Sequence, residues 1–180
     1  MSGILIPLAD GFEEIEAITI ADVLSRGGLN VVTAAILKKE VIGAHGIKVV
    51  ADMLLDDVES FDFDAIVLPG GSPGYQNLAK SEKLLALLKD FDEANKLVGA
   101  ICAAPYVLAK AKVLKNSYTC YPPMKSEIKK PGYVDNKNVV IDDNIFTSKG
   151  PATAIEFALE LLKKLKSDEI SQSVRESLLA

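Results

Sequence analysis

The chain has 180 residues, of which 49% are hydrophobic and 25% charged, and its formal net charge at pH 7 is −5. This composition excludes intrinsic disorder and predicts one globular domain over residues 1–180, since a chain of this length buries a sizeable core. The acidic balance and scattered basic residues argue against nucleic-acid and anionic-membrane partners, and no uncharged run reaches the roughly 20 residues of a membrane-spanning helix.

The chain contains only two cysteines, Cys102 and Cys120. Two cysteines do not indicate a disulfide framework. No lysine or arginine precedes Arg26, although a secretory signal needs a basic start. We therefore expect a cytoplasmic protein whose thiols stay reduced.

Short β-branched segments alternate with helical patterns along the chain. In chain order the patterns predict a strand at 3–8, a helix at about 12–26, a strand at 29–36, a hairpin within 41–51, a strand at 64–68, a helix around 84–91, a strand at 97–101, a helix ending near 112, strands at 118–121, 139–141 and 145–148, and helices after Gly150 and Ser167. Asp10 resembles the N-cap of the first helix, with Glu13 in a capping box. Glu13 and Glu14 are then expected to be exposed acids that compensate the helix dipole.

Strands that are apolar throughout and alternate with helices are typical of a mostly parallel sheet covered on both faces. The predicted fold class is therefore α/β, a three-layer sandwich with helices on both faces of the sheet. In this architecture ligands bind beyond the carboxyl ends of the strands. Three segments leave strands at that edge, namely 9–16, 69–74 and 102–105.

Cys102 is the most informative residue, because it lies where an apolar strand turns into a helix. Small neighbours, among them Ala103 and Ala104, permit a sharp turn there. A helix N-terminus favours thiolate over thiol, so this position predicts a lowered pKa and a nucleophilic sulfur. The alternative is an inert cysteine that fills space in the core.

Glu16 shares a helix face with Ile20, Val23 and Leu24, so its carboxyl group falls on an apolar stripe. Burial there raises the pKa of a carboxyl group, and a protonated glutamate can donate a hydrogen bond to a nearby thiolate. The alternative is that the first helical turn opens the stripe to water.

The remaining candidates carry weaker signals. The loop 69–74 could expose backbone amides to a substrate oxygen, although a tight turn is the default interpretation, and it matches no nucleotide-binding motif. His45 is the only histidine, so the sequence predicts no metal site and favours an ordinary hairpin residue. Cys120 is expected to pack inside a strand.

Four ordered motifs together resemble the DJ-1/ThiJ/PfpI superfamily, and the terminal helix after Ser167 resembles the DJ-1 branch. The motifs are Gly11-Phe12-Glu13-Glu14-Ile15-Glu16, Leu68-Pro69-Gly70-Gly71, Ala100-Ile101-Cys102-Ala103-Ala104-Pro105 and Thr147-Ser148-Lys149-Gly150-Pro151. The resemblance implies homodimers of flavodoxin-like subunits that use no metal or organic cofactor.

The resemblance also implies roles for individual residues. Cys102 would be the oxidation-sensitive nucleophile on an elbow, and Glu16 the protonated acid hydrogen-bonded to it. The backbone amides of Gly71 and Ala103 would bind an oxyanion or a sulfinate oxygen. Four further residues are expected near the site or at a dimer interface, namely Asp22, Arg26, Tyr121 and His45, the last in a place where relatives often have arginine.

Tyr121 stands where many members of that superfamily carry a histidine. A phenol with a pKa near 10 is a poor general base at neutral pH, which argues against a Cys-His protease or amidotransferase mechanism.

Two functions are therefore expected. The first is a glyoxalase III or deglycase activity on a small reactive carbonyl such as methylglyoxal, in which Cys102 adds to the aldehyde and Glu16 moves protons. The second is a non-enzymatic redox sensor or stress-linked chaperone that forms a Cys102 sulfinate. A flavin or phosphate binder on the same scaffold is a third interpretation.

Overall fold

A computed structural model describes residues 3–180 of the chain. Its centre is a seven-stranded sheet with the order β5-β2-β1-β6-β7-β9-β8. The strands are β1 (Gly3–Leu8), β2 (Asn30–Ala35), β5 (Met53–Leu54), β6 (Ala65–Leu68), β7 (Leu97–Ile101), β8 (Val139–Asp142) and β9 (Ile145–Ser148). All neighbouring strands in this sheet pair in parallel except β8 and β9. The α/β fold class is confirmed.

Helices cover both faces of the sheet. They are α1 (Glu14–Arg26), α2 (Gly74–Leu78), α3 (Glu82–Glu93), α4 (Pro105–Ala111), α5 (Lys125–Ile128), α6 (Ala154–Leu165) and α7 (Asp168–Leu178). Helix α6 packs between α1 and α7, while α3 packs against α4. Because α3 and α6 both also contact β7, the central strands are buried on both sides, as their uninterrupted apolar sequences predict. None of these helices is long and apolar enough to span a membrane.

A small hairpin lies outside the main sheet, as the glycines in 41–51 suggest. Strands β3 (Glu40–Ile42) and β4 (Lys48–Val50) pair antiparallel. The hairpin is fastened to the loop after β1, because the Asp10 carboxylate accepts a hydrogen bond from the Ile42 amide at 2.9 Å. The prediction that Asp10 caps α1 is therefore wrong, and Glu13 is the N-cap.

The strand predicted at 118–121 is also wrong. Tyr118 makes only an isolated bridge to Tyr133, and the Thr119 amide donates to a side chain, Thr147 Oγ1, at 2.9 Å. Tyr118 and Cys120 are buried in the core, but the backbone groups of this segment bond to several unrelated parts of the chain. The last predicted helix is confirmed, with Ser167 as its N-cap.

Candidate functional site

Three loops converge at the carboxyl edge of the central strands. The strands β1, β6 and β7 are neighbours in the sheet, so the segments that follow them meet above it. The chain also changes direction across the sheet here, since β2 and β5 lie on one side of β1 and the later strands on the other. The edge therefore brings together Glu16, in the first turn of α1, and the loops that carry Gly70 and Cys102.

Cys102 occupies a strained turn between β7 and α4. Its φ angle is +63°, a left-handed conformation that is uncommon for a residue other than glycine. Two backbone hydrogen bonds hold the turn, since the Cys102 amide donates to the Ser148 carbonyl at 2.9 Å and its carbonyl accepts from the Tyr121 amide at 2.8 Å. Such strain is typical of functional sites, and the Cys102 residue keeps 9% of its surface exposed.

Glu16 lies fully buried on the inner face of α1, as its position on the apolar stripe predicts. Its Oε2 atom accepts a hydrogen bond from the Gly70 amide at 2.7 Å. Its Oε1 atom has no partner of ordinary hydrogen-bond geometry among residues 3–180, and the Cys102 thiol is the side chain that interacts with the carboxylate. Burial raises the pKa of Glu16 to about 7, although the Gly70 and Cys102 contacts act in the opposite direction.

The pKa of Cys102 is raised, not lowered as its position predicts. Burial is the main cause, and the negative charge of Glu16 adds to it. The backbone amides of Ala103 and Gly71 interact with the sulfur and lower its pKa, but they do not outweigh burial. While Glu16 is ionised, the sulfur therefore holds its proton as a thiol and faces a carboxylate that can accept it.

Gly70 is the residue that lets these groups approach each other. A Cβ atom at this position would lie 2.8 Å from Cys102 Cβ, 2.9 Å from the Ala103 amide nitrogen and 2.9 Å from Glu16 Oε2. No side chain fits in that space, so glycine is required by close packing. This role of Gly70 was not predicted from the sequence, although the two consecutive glycines that follow β6 were the available signal.

Glu13 and Glu14 are buried, which contradicts their predicted exposure. The hairpin turn folds over the start of α1, and the amides of His45 and Ile47 donate to Glu14 Oε1. His45 Nδ1 lies 2.8 Å from Glu14 Oε2 and 3.8 Å from Glu13 Oε2. The hydrogen bond to Glu14, followed by the charge of Glu13, raises the pKa of His45.

The ligand atoms of Glu13, Glu14 and His45 lie within 4.8 Å of one another, a grouping that sequence spacing does not reveal. The carboxylate of Glu14 is already engaged by His45 and Ile47. Burial alone would raise the pKa of Glu14, but these hydrogen bonds lower it overall. The hydrogen bonds to Glu14 therefore hold the hairpin turn against the start of α1.

The other predicted residues make no side-chain hydrogen bond to Cys102 or Glu16 within residues 3–180. Asp22 and Arg26 form an exposed ion pair at 2.6 Å on the outer face of α1. The Tyr121 amide donates a hydrogen bond to the Cys102 carbonyl, and the Tyr121 side chain is about half exposed. Cys120 is fully buried, but it does not lie in the strand that was predicted for it.

Comparison with known proteins gives one consistent result. The DJ-1/PfpI family matches residues 2–164. Protein DJ-1 homolog B of Arabidopsis thaliana is 44% identical over 169 residues, which are 92% of this chain and 38% of that protein. The chain thus spans less than half the length of this relative.

Two further similarities extend over nearly complete chains. Glutathione-independent glyoxalase DJR-1.2 of Caenorhabditis elegans is 42% identical over 173 residues, which are 95% of this chain and 91% of that protein. The crystal structure of Drosophila melanogaster DJ-1beta superposes with a TM-score of 0.96 at 41% identity and covers 100% of this chain and 99% of that one.

Proposed function

This chain belongs to the DJ-1/PfpI family, and from that premise we propose that it converts a small 2-oxoaldehyde such as methylglyoxal, free or as an adduct, into a 2-hydroxy acid without a cofactor. The observation that supports the proposal is a buried carboxylate with a pKa of about 7 next to a thiol. A general base is most effective when its pKa lies near the working pH. The glyoxalase name of the Caenorhabditis relative supports the same reaction class.

The proposed reaction begins when Cys102 Sγ attacks the aldehyde carbon. The S–H proton passes to Glu16 as the S–C bond forms, and Glu16 then gives this proton to the carbonyl oxygen, which produces a hemithioacetal and restores the carboxylate. In this proposal the amides of Gly71 and Ala103, which lower the pKa of the sulfur, would also stabilise the developing oxyanion.

Glu16 then moves the proton from the former aldehyde carbon to the neighbouring carbon through an enediol. The product of this step is a thioester, which water hydrolyses to the 2-hydroxy acid and the free thiol. The aldehyde carbon is oxidised and the ketone carbon is reduced, so the net reaction consumes only water.

Lactate formation from methylglyoxal tests the proposal, in a buffer free of Tris and thiols. Cys102→Ser and Glu16→Gln are expected to lose most of the activity. Cys120→Ser is the matched control, because Cys120 is fully buried and does not belong to the site, and it should retain the wild-type rate. Equal rates in all four proteins would reject the proposal.

Oxidation sensing is a second candidate function, supported by the same amides. The Gly71 and Ala103 N–H groups that interact with the sulfur would also bind the oxygens of a Cys102 sulfinate. Peroxide titration followed by intact mass and peptide mapping should show two oxygens added at Cys102. Equal oxidation of Cys120 would contradict a sensing role.

We also infer a cytoplasmic homodimer. The outer face of α1 exposes two large apolar side chains, Ile15 and Ile18, beside the Asp22–Arg26 ion pair. Exposed apolar groups rimmed by charge are typical of protein interfaces. Sedimentation velocity should show a dimer for the wild type and dissociation for Ile18→Glu, and a monomeric wild type would contradict the inference.

A further inference from the structure

A cavity separate from the cysteine site opens beyond the carboxyl ends of β1 and β2. Its volume is about 310 Å³, and its lining is mostly apolar, with Leu8, Ala9, Ile36 and Val41 among the lining residues. Small-molecule clefts range from roughly 300 to 1,000 Å³, so the cavity is large enough for a compact ligand. None of its lining residues belongs to the Cys102–Glu16 pair.

Two lysines give the cavity a positive rim. Lys38 and Lys80 both line it and are exposed, and neither forms an ion pair with a carboxylate among residues 3–180. Asp10 is the only carboxylate in the lining. The side chains around the opening therefore carry a net charge of +1, which complements a single negative charge.

The walls of the cavity are held in place by hydrogen bonds. Asn77 Nδ2 donates to the Asp10 carbonyl at 2.9 Å, and the Asp10 side chain accepts from the Ile42 amide. Ser81 caps the twelve-residue helix α3 by accepting from the Leu84 amide. The positive end of that helix dipole thus lies at the same rim as the lysines.

From these observations we propose that the β1–β2 cavity binds a small monoanion with an aromatic or branched aliphatic body. The apolar lining takes the body, and the lysines with the start of α3 hold the anionic group. The cavity is a binding site in its own right and does not depend on the chemistry proposed for Cys102.

Two fluorescent probes separate the apolar and anionic contributions. The probes are 1-anilinonaphthalene-8-sulfonate and its uncharged counterpart N-phenyl-1-naphthylamine, which has the same aromatic body without the sulfonate. Lys38→Met/Lys80→Met should weaken binding of the sulfonate about five- to tenfold and leave binding of the neutral probe unchanged. The matched control is Lys110→Met/Lys164→Met, which removes two exposed lysines elsewhere and should leave both affinities unchanged.

A further variant tests the location of the apolar part. Ile36→Phe adds volume inside the cavity and should weaken both probes, while its thermal unfolding reports whether it still folds. Cys102→Ser should bind both probes like the wild type. The proposal is overturned if the sulfonate binds equally to wild type and Lys38→Met/Lys80→Met, if folded Ile36→Phe retains wild-type affinity for the neutral probe, or if the wild type binds neither probe.

Discussion

The substitution Gly70→Ala tests whether close packing at the site is required for its chemistry. The new Cβ would lie 2.8 Å from Cys102 Cβ, whereas ordinary van der Waals contact begins at 3.4 Å, so the two atoms must separate by about 0.6 Å. The Ala103 backbone nitrogen, at 2.9 Å, limits the same movement. Overpacking of this kind costs about 1–3 kcal/mol of stability.

The expected catalytic effect follows from the displacement. A misplacement of about 1 Å can reduce a rate about a hundredfold, so a shift of about 0.6 Å should reduce lactate formation about tenfold. Gly28→Ala is the control, because it strains a positive φ of 75° in open space, away from the site. Gly28→Ala should be less stable than the wild type but should form lactate at the wild-type rate. A folded Gly70→Ala protein with wild-type activity would refute the packing argument.

Three further predictions concern pH and stability. Between pH 4.5 and 7 the free energy of unfolding of the wild type should fall by about 3 kcal/mol relative to Glu16→Gln, because the folded state keeps the Glu16 proton up to a pKa of about 7. Guanidinium unfolding at several pH values measures this difference, and the same pH dependence in both proteins would contradict the prediction. In an NMR titration the imidazole of His45 should have a pKa above 6.5 in the wild type and closer to 6.5 in Glu14→Gln. An identical pKa in both proteins would contradict the hydrogen bond between His45 and Glu14. Ser171→Ala should lower the free energy of unfolding by about 1 kcal/mol, because the Ser171 hydroxyl donates a hydrogen bond to the Leu159 carbonyl at 2.8 Å and so connects α7 to α6. An unchanged free energy in chemical unfolding would count against that contact.

The sequence predicts the main sheet well because its strands are buried on both faces and therefore apolar throughout. β1, β7 and β9 have the predicted bounds. The false strand at 118–121 shows where this reasoning fails. Tyr118 and Cys120 are fully buried and have a strand-like composition, but burial alone does not provide a neighbouring strand with which to form a ladder.

The candidate site was predictable where one helix or one turn determines the environment. The apolar stripe of α1 placed Glu16 inside, and the strand-to-helix junction located Cys102 in a tight turn. The contacts of Glu14 were not predictable, since they come from a hairpin about thirty residues away. The direction of the Cys102 pKa shift was also missed, because it depends on how deeply two residues far apart in sequence are buried together.

Alkylation of Cys102 by iodoacetamide, measured against pH by intact mass, tests most directly whether Glu16 and Cys102 share a proton. Once the pair has lost one proton, a fixed fraction of it carries the charge on sulfur, so the wild-type rate should rise with pH and level off above an apparent pKa of about 7. In Glu16→Gln this inflection should disappear and the rate should rise only in more alkaline solution. An inflection near pH 7 that persists in Glu16→Gln would contradict the coupling of the two groups.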